Sequence, residues 1–113
     1  MQKQKLVKIE QELRHLRQNC VGLKPRDLIR LAKQLGRRKK PGNTNEPTYI
    51  RKLDPALSPP LSIPKHASLK QGTARSIINA LLDDVDEWKQ FILLNGETDD
   101  TEESDDDDDD TSD

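Results

Sequence analysis

The 113-residue chain is poor in almost everything that would announce a chemistry. It has one cysteine, Cys20, which excludes an internal disulfide and a cysteine-based metal site. Its two histidines, His15 and His66, stand too far apart for a zinc motif, so no metal and no cofactor are expected. Aromatic residues make up 3% and hydrophobic residues 31%, enough for one small core built mainly from Leu and Ile. No apolar run approaches the roughly 20 residues that span a membrane. The first residues form a polar helical pattern instead of the apolar stretch of a secretion signal. These absences predict a single-domain cytoplasmic protein with no membrane partner.

Charge, by contrast, is abundant. Charged residues account for 35% of the chain, 19 basic and 21 acidic, for a formal net charge of −2. That near-balance hides a separation along the sequence. Twelve of the acids fall in residues 97–113, which contain no base, leaving nine acids against all 19 bases in residues 1–96, a net charge of +10. A body this basic attracts polyanions. The acidic stretch includes six consecutive aspartates, Asp105 to Asp110, and has no apolar residues to offset chain entropy. It predicts a disordered tail over residues 95–113.

Apolar spacing locates the ordered elements. Leu6, Ile9, Leu13, Leu16 and Cys20 recur at intervals of three and four, which predicts an amphipathic helix within residues 1–22. Two heptads are too few for a stable free coiled coil, so the stripe is expected to pack on the body of its own chain. Val21 to Lys24 breaks the pattern, and Pro25 suits the first turn of a second helix. Leu28, Leu31, Ala32 and Leu35 give that helix its apolar face, with Gly36 as its stop. The basic run Arg37-Arg38-Lys39-Lys40 and the turn residues Pro41-Gly42-Asn43 follow. Thr48 to Arg51 and Leu61-Ser62-Ile63 read as short strands, separated by a proline-rich loop. Ala74, Ile77, Ile78, Leu81, Val85, Trp88 and Ile92 then predict the longest helix, from Thr73 to about Leu93, stopped by Asn95-Gly96. Trp88 lies on this stripe, which assigns it to packing in preference to base stacking. The expected fold is α+β, a small antiparallel sheet of two or three strands packed against helices, with an extra N-terminal helix. The expected division is an N-terminal helix (1–22), a body (23–94) and the acidic tail (95–113).

Within the body, Leu61-Ser62-Ile63-Pro64-Lys65-His66 is followed by Leu69-Lys70-Gln71-Gly72-Thr73-Ala74-Arg75-Ser76-Ile77-Ile78. This segment resembles the HicA toxin family, whose signature is a strand ending in an apolar-Pro-basic-His element and a Gly-Thr pair opening a helix. Leu28 to Gly36 looks like the family's first helix, and Pro47-Thr48-Tyr49 like its second strand. The resemblance covers about residues 23–82 and leaves out the N-terminal stripe and the acidic tail. It implies a fold like the double-stranded RNA-binding domain, an mRNA interferase (endonuclease, hydrolase) activity, and a HicB-like antitoxin as partner of a toxin–antitoxin system. It also gives the basic body an RNA partner, recognised through shape, 2′-hydroxyl and phosphate contacts. The expected RNA contacts are Arg37, Arg38, Lys39 and Lys40, with Arg51, Lys65, Lys70 and Arg75 as a second group.

The resemblance places the family's catalytic His at about Glu46, beside Asn45, and leaves His66 as the second catalytic candidate. Metal-free RNA cleavage needs a base for the 2′-hydroxyl proton and an acid for the leaving oxygen. An ordinary Glu, with a pKa of about 4.3, is a poor acid near neutrality, and its charge opposes a phosphate. Weak or absent cleavage is therefore expected. Three functions stay open at this point: a HicA-type toxin, active or attenuated; a non-catalytic RNA- or protein-binding module on the same scaffold; and an interaction domain that uses the Leu6 to Leu16 stripe without nucleic acid. The oligomeric state is not set by the sequence.

Overall fold

The apolar spacings become three helices around one core, with a small sheet closing its side. A computed structural model describes residues 1–40, 47–50, 59–64 and 69–97. In chain order the elements are α1 (Lys3–Gln18), α2 (Pro25–Gln34), β1 (Arg38–Lys39), β2 (Thr48–Ile50), β3 (Leu61–Ser62) and α3 (Gln71–Asn95). The fold is α+β, with an N-terminal helix added to a helix, a three-stranded antiparallel sheet and a second helix.

Leu6, Ile9 and Leu13 of α1 are buried, as are Cys20 and Leu23 just beyond it. They join Ala74, Ile77, Ile78, Leu81, Val85 and Trp88 of α3 in one cluster that also takes Leu28, Leu31, Ala32 and Leu35 of α2. Two contacts fix the direction of α1 on α3. Lys89 Nζ lies 2.9 Å from Glu10 Oε1, and Arg17 Nη1 donates to Asn79 Oδ1 at 3.0 Å, so the two helices run antiparallel. Each fully buried Leu or Ile contributes about 1.5–3 kcal/mol by leaving water. The stripe expected to pack on its own chain does so. Its three most buried positions are thereby unavailable to a partner, which corrects the reading of Leu6 to Leu16 as an external docking stripe.

The end of α2 sets up everything that follows. Gly36, at φ +97°, adopts the left-handed conformation that side chains disfavour. Its N–H donates to Lys33 O at 3.0 Å, while Arg37 N–H reaches back to Ala32 O at 3.0 Å. This pair of bonds is the Schellman closure of a helix. Trp88 Nε1 donates to Leu35 O at 2.8 Å, satisfying another terminal carbonyl and tying α2 to α3. The closure turns Arg37 inward, where it is 1% exposed. There its Nε and Nη2 grip both carboxylate oxygens of Asp84 at 2.6 and 2.9 Å. Nη1 donates to Tyr49 O at 2.8 Å and to Pro59 O at 3.0 Å.

β1 was not anticipated as a separate strand, because Arg38 and Lys39 carry no apolar signal. Backbone pairing makes it one: Arg38 lies opposite Ile50 and Lys39 opposite Tyr49. β2 is central, and its other edge pairs Thr48 with Ser62 and Tyr49 with Leu61. Tyr49 is buried, as is Ile63 just past β3, so the face they share looks into the core. Alternation sends Arg38, Thr48, Ile50 and Ser62 to the other face.

Two consequences are measurable. Asp84→Ala leaves Arg37 charged and buried without its carboxylate, so urea unfolding should show a loss of about 3–5 kcal/mol. Arg37→Met with Asp84→Leu removes both charges together and should cost less than Asp84→Ala alone; a larger loss would show that the carbonyl bonds of Arg37 dominate. The second concerns pH. Hydrogen bonds from Lys89 first, and Arg14 next, hold the Glu10 carboxyl below its ordinary value, against the opposing effect of burial. A depressed carboxyl pKa stabilises the fold above the unfolded-state value, about 4.3, and that stability is lost as pH falls through the folded value. Glu10→Gln should therefore lower the unfolding free energy at pH 7 by the small amount expected of partly exposed pairs, about 0.2–1 kcal/mol each, and should flatten the decline in Tm below about pH 4.5.

Candidate nucleic-acid interface

The basic run after α2 alternates as a strand must. Arg37 points inward and is fully engaged, so it cannot meet a phosphate without breaking the pair with Asp84. This corrects its assignment as an RNA contact. Arg38, Lys39 and Lys40 are exposed. Arg38 Nη1 donates to Arg37 O at 2.9 Å and to Lys33 O at 3.2 Å, which folds its guanidinium against the carbonyl end of α2. Lys39 and Lys40 form no ion pair among the described residues. Lys40 N–H donates to Thr48 O at 2.7 Å and so extends the β1–β2 ladder by one step. The outer face of the sheet therefore gathers Arg38, Lys40, Thr48, Ile50 and Ser62. The hydroxyls of Thr48 and Ser62 lie 3.4 Å apart across the strands.

Lys70 and Arg75 fall in a second place. Lys70 caps the amino end of α3, and both side chains are exposed. Leu69 N–H donates to Leu23 O at 2.8 Å, fastening this end of α3 to the turn between α1 and α2. The exposed residues Lys24 and Arg26 follow that turn, Arg17 reaches α3 at Asn79, and Arg75 Nη2 lies 4.0 Å from Cys20 Sγ. Arg17, Lys24, Arg26, Lys70 and Arg75, together with one half-buried acid, Asp27, thus lie on the segments that this contact and Asn79 bring to the first turns of α3. A Cβ built on Gly72 there would meet nothing within 4 Å, so the approach to this helix end is open. Sequence reasoning found Lys70 and Arg75 and missed Arg17, Lys24 and Arg26, because only the tertiary contact Leu23–Leu69 brings them together. Thr48 and Ser62 were also missed, although strand alternation was their signal. Asp84, which anchors the sheet, lies nine residues beyond Arg75, about 14 Å along the helix.

Glu46, His66, Arg51 and Lys65 lie outside the described residues. Among those described, no group of three or more His, Cys, Asp or Glu could hold a metal ion, and no helix is long and apolar enough to cross a membrane. At the opposite end of α3, a groove of about 320 Å³ is lined by Lys3, Leu6, Val7, Lys89, Ile92 and Leu93. No family model, curated protein or solved structure matches the chain.

Proposed function

We propose that the chain is an RNA-binding protein of the HicA toxin type, with little or no ribonuclease activity of its own. The observation that carries this reading is the polar outer face of the sheet, where Arg38, Lys40, Thr48 and Ser62 stand together. Cations and hydroxyls are the groups that phosphates and 2′-hydroxyls call for, and A-form RNA is recognised mainly through these contacts. The order helix, three antiparallel strands in sequence, helix supports it further, since the double-stranded RNA-binding domain is built in that order. A HicB-like antitoxin is the protein partner this reading implies.

The groove beside Val7 and Leu93 favours the alternative, a non-catalytic protein-binding module on the same scaffold. Leu93, which lines it, and its neighbour Leu94 are 81% and 79% exposed, leaving apolar surface for a partner. RNA binding by the full chain separates the two readings in favour of the first, whereas growth arrest with loss of mRNA on expression would show an active ribonuclease instead of either.

RNA titration of the full chain at increasing salt tests the binding. About four phosphate contacts, at roughly 0.7 each on a single strand, give a log–log slope near −3. Lys39→Ala with Lys40→Ala should make that slope shallower by about 1.4. No binding at low salt would remove RNA from the account. The chemistry has its own test in single-turnover cleavage. Wild type should cleave slowly or not at all. Glu46→His should raise the rate by restoring a group that both accepts and donates a proton near neutrality, and His66→Ala should reduce that gain if the second imidazole takes part. Efficient wild-type cleavage that survives Glu46→Gln would move the active site elsewhere.

A further inference from the structure

A chain with a polyanion-binding face that also carries its own polyanion has two occupants for one surface. Residues 97–113 hold twelve acids and no base, six of them in the unbroken run Asp105 to Asp110. α3 ends at Asn95, and Gly96, at φ +84°, turns the chain out of the helix beside the first turn of α1. From that exit point, chain length favours some basic groups over others. The sheet is anchored at Asp84, twelve residues back along α3, or about 18 Å. Asp105 and Asp110 follow Gly96 by nine and fourteen residues, which for a flexible chain gives a root-mean-square span of about 15–22 Å. The amino end of α3 is about 38 Å from Gly96, and nine fully extended residues reach only about 30–32 Å. The run therefore spans the distance to the Asp84 anchor of the sheet without stretching, whereas it reaches Lys70 only with its later aspartates and a nearly extended chain.

We propose that Asp105 to Asp110 dock on the basic edge formed by Arg38, Lys39 and Lys40 and compete there with RNA. The proposal rests on the RNA-binding reading for its consequence, but not for the contact itself. Lys39 and Lys40 form no ion pair among the described residues, so they can take carboxylates without giving up an existing partner. A short tether supplies a local concentration in the millimolar range, enough to offset the weakness of individual exposed ion pairs. The contact is consequently shallow, reversible and sensitive to salt, since the screening length falls from about 10 Å at 0.1 M to about 3 Å at 1 M. RNA, which extends past the edge to further contacts on the sheet face, displaces it.

The test keeps the full chain and changes only the charge of the run, by Asp→Asn at all six positions from Asp105 to Asp110. In 50 mM salt the variant should bind a single-stranded RNA about tenfold more tightly than wild type, and at 300 mM less than twofold more tightly. In the absence of RNA, the amide resonances of Lys39 and Lys40 in wild type should shift between 50 and 500 mM salt, and those of the variant should not. Lys39→Ala with Lys40→Ala should abolish the gain from the six substitutions. Equal RNA affinities together with unmoved amides would overturn the proposal, and a gain that survives in the lysine variant would overturn this docking site. If neither protein binds RNA, the functional reading fails, and the amide shifts still decide whether the segment docks.

Discussion

The contact on which the rest depends is the buried pair of Arg37 and Asp84. One guanidinium joins four parts of the chain: the end of α2 that carries it, Asp84 of α3, the carbonyl of Tyr49 in β2, and the carbonyl of Pro59 before β3. The desolvation of two charges makes such a pair a modest source of net stability, and well-packed apolar residues often do as well. What it supplies here is position. Four of the five N–H groups on Arg37 find acceptors at 2.6–3.0 Å, and together they hold the start of β1 against α3 and β2. Because Arg37 faces in, the alternation of an extended chain makes Arg38 and Lys40 face out. The interior ion pair thereby decides which bases reach the surface.

The sheet could not hold this arrangement alone. Strands of two or three residues are below the length at which an isolated sheet is stable in water. Tyr49 and Ile63 insert into the helical core and carry the sheet with them, while α1 and α2 bury the two sides of α3. The outer face is left with few packing duties, so its composition is free to answer to a ligand. That separation of labour explains why a lean core, 31% hydrophobic over the chain, still supports an ordered polar surface.

The helices were legible because burial on one side imposes a period of 3.6 that survives in the sequence, as in Leu6-Ile9-Leu13 and Leu28-Leu31-Ala32-Leu35. β2 and β3 were legible from Tyr49-Ile50 and Leu61-Ser62-Ile63. β1 was not, because it is recruited by its neighbour's backbone and offers no apolar residue of its own. Arg37 was misplaced for a related reason: a run of four bases looks uniform in sequence, and only the glycine turn before it determines which member goes inward. A clue was available in α3, where Asp84 interrupts the apolar series Leu81, Leu82, Val85 and Trp88. An acid at a core position needs a cation, and Arg37 is the residue that the Schellman closure delivers. The five bases around the start of α3 had no such clue, since their meeting depends on the fold alone.

The charges of α3 are arranged against its own dipole. Carboxylates favour the amino end of a helix and cations the carboxyl end, each by about 0.3–1 kcal/mol. Here Lys70 stands at the N-cap without a capping bond, the first turn has no acid and the last turn has no base, while Asp83, Asp84, Asp86 and Glu87 lie in the middle turns. Asp84 is accounted for by Arg37, and the empty first and last turns forgo the stabilisation that the dipole offers. Conflict between local preference and global structure concentrates at sites that serve a ligand. A helix amino end with Lys70 beside it and Arg75 one turn on is less favourable in isolation than with an anion next to it. Under the RNA reading, phosphate supplies the negative charge that the sequence withholds from the first turn. On that same reading the exposed acids Asp83 and Asp86 would repel phosphates from the middle of α3, leaving the sheet edge and the amino end of the helix as the more attractive places.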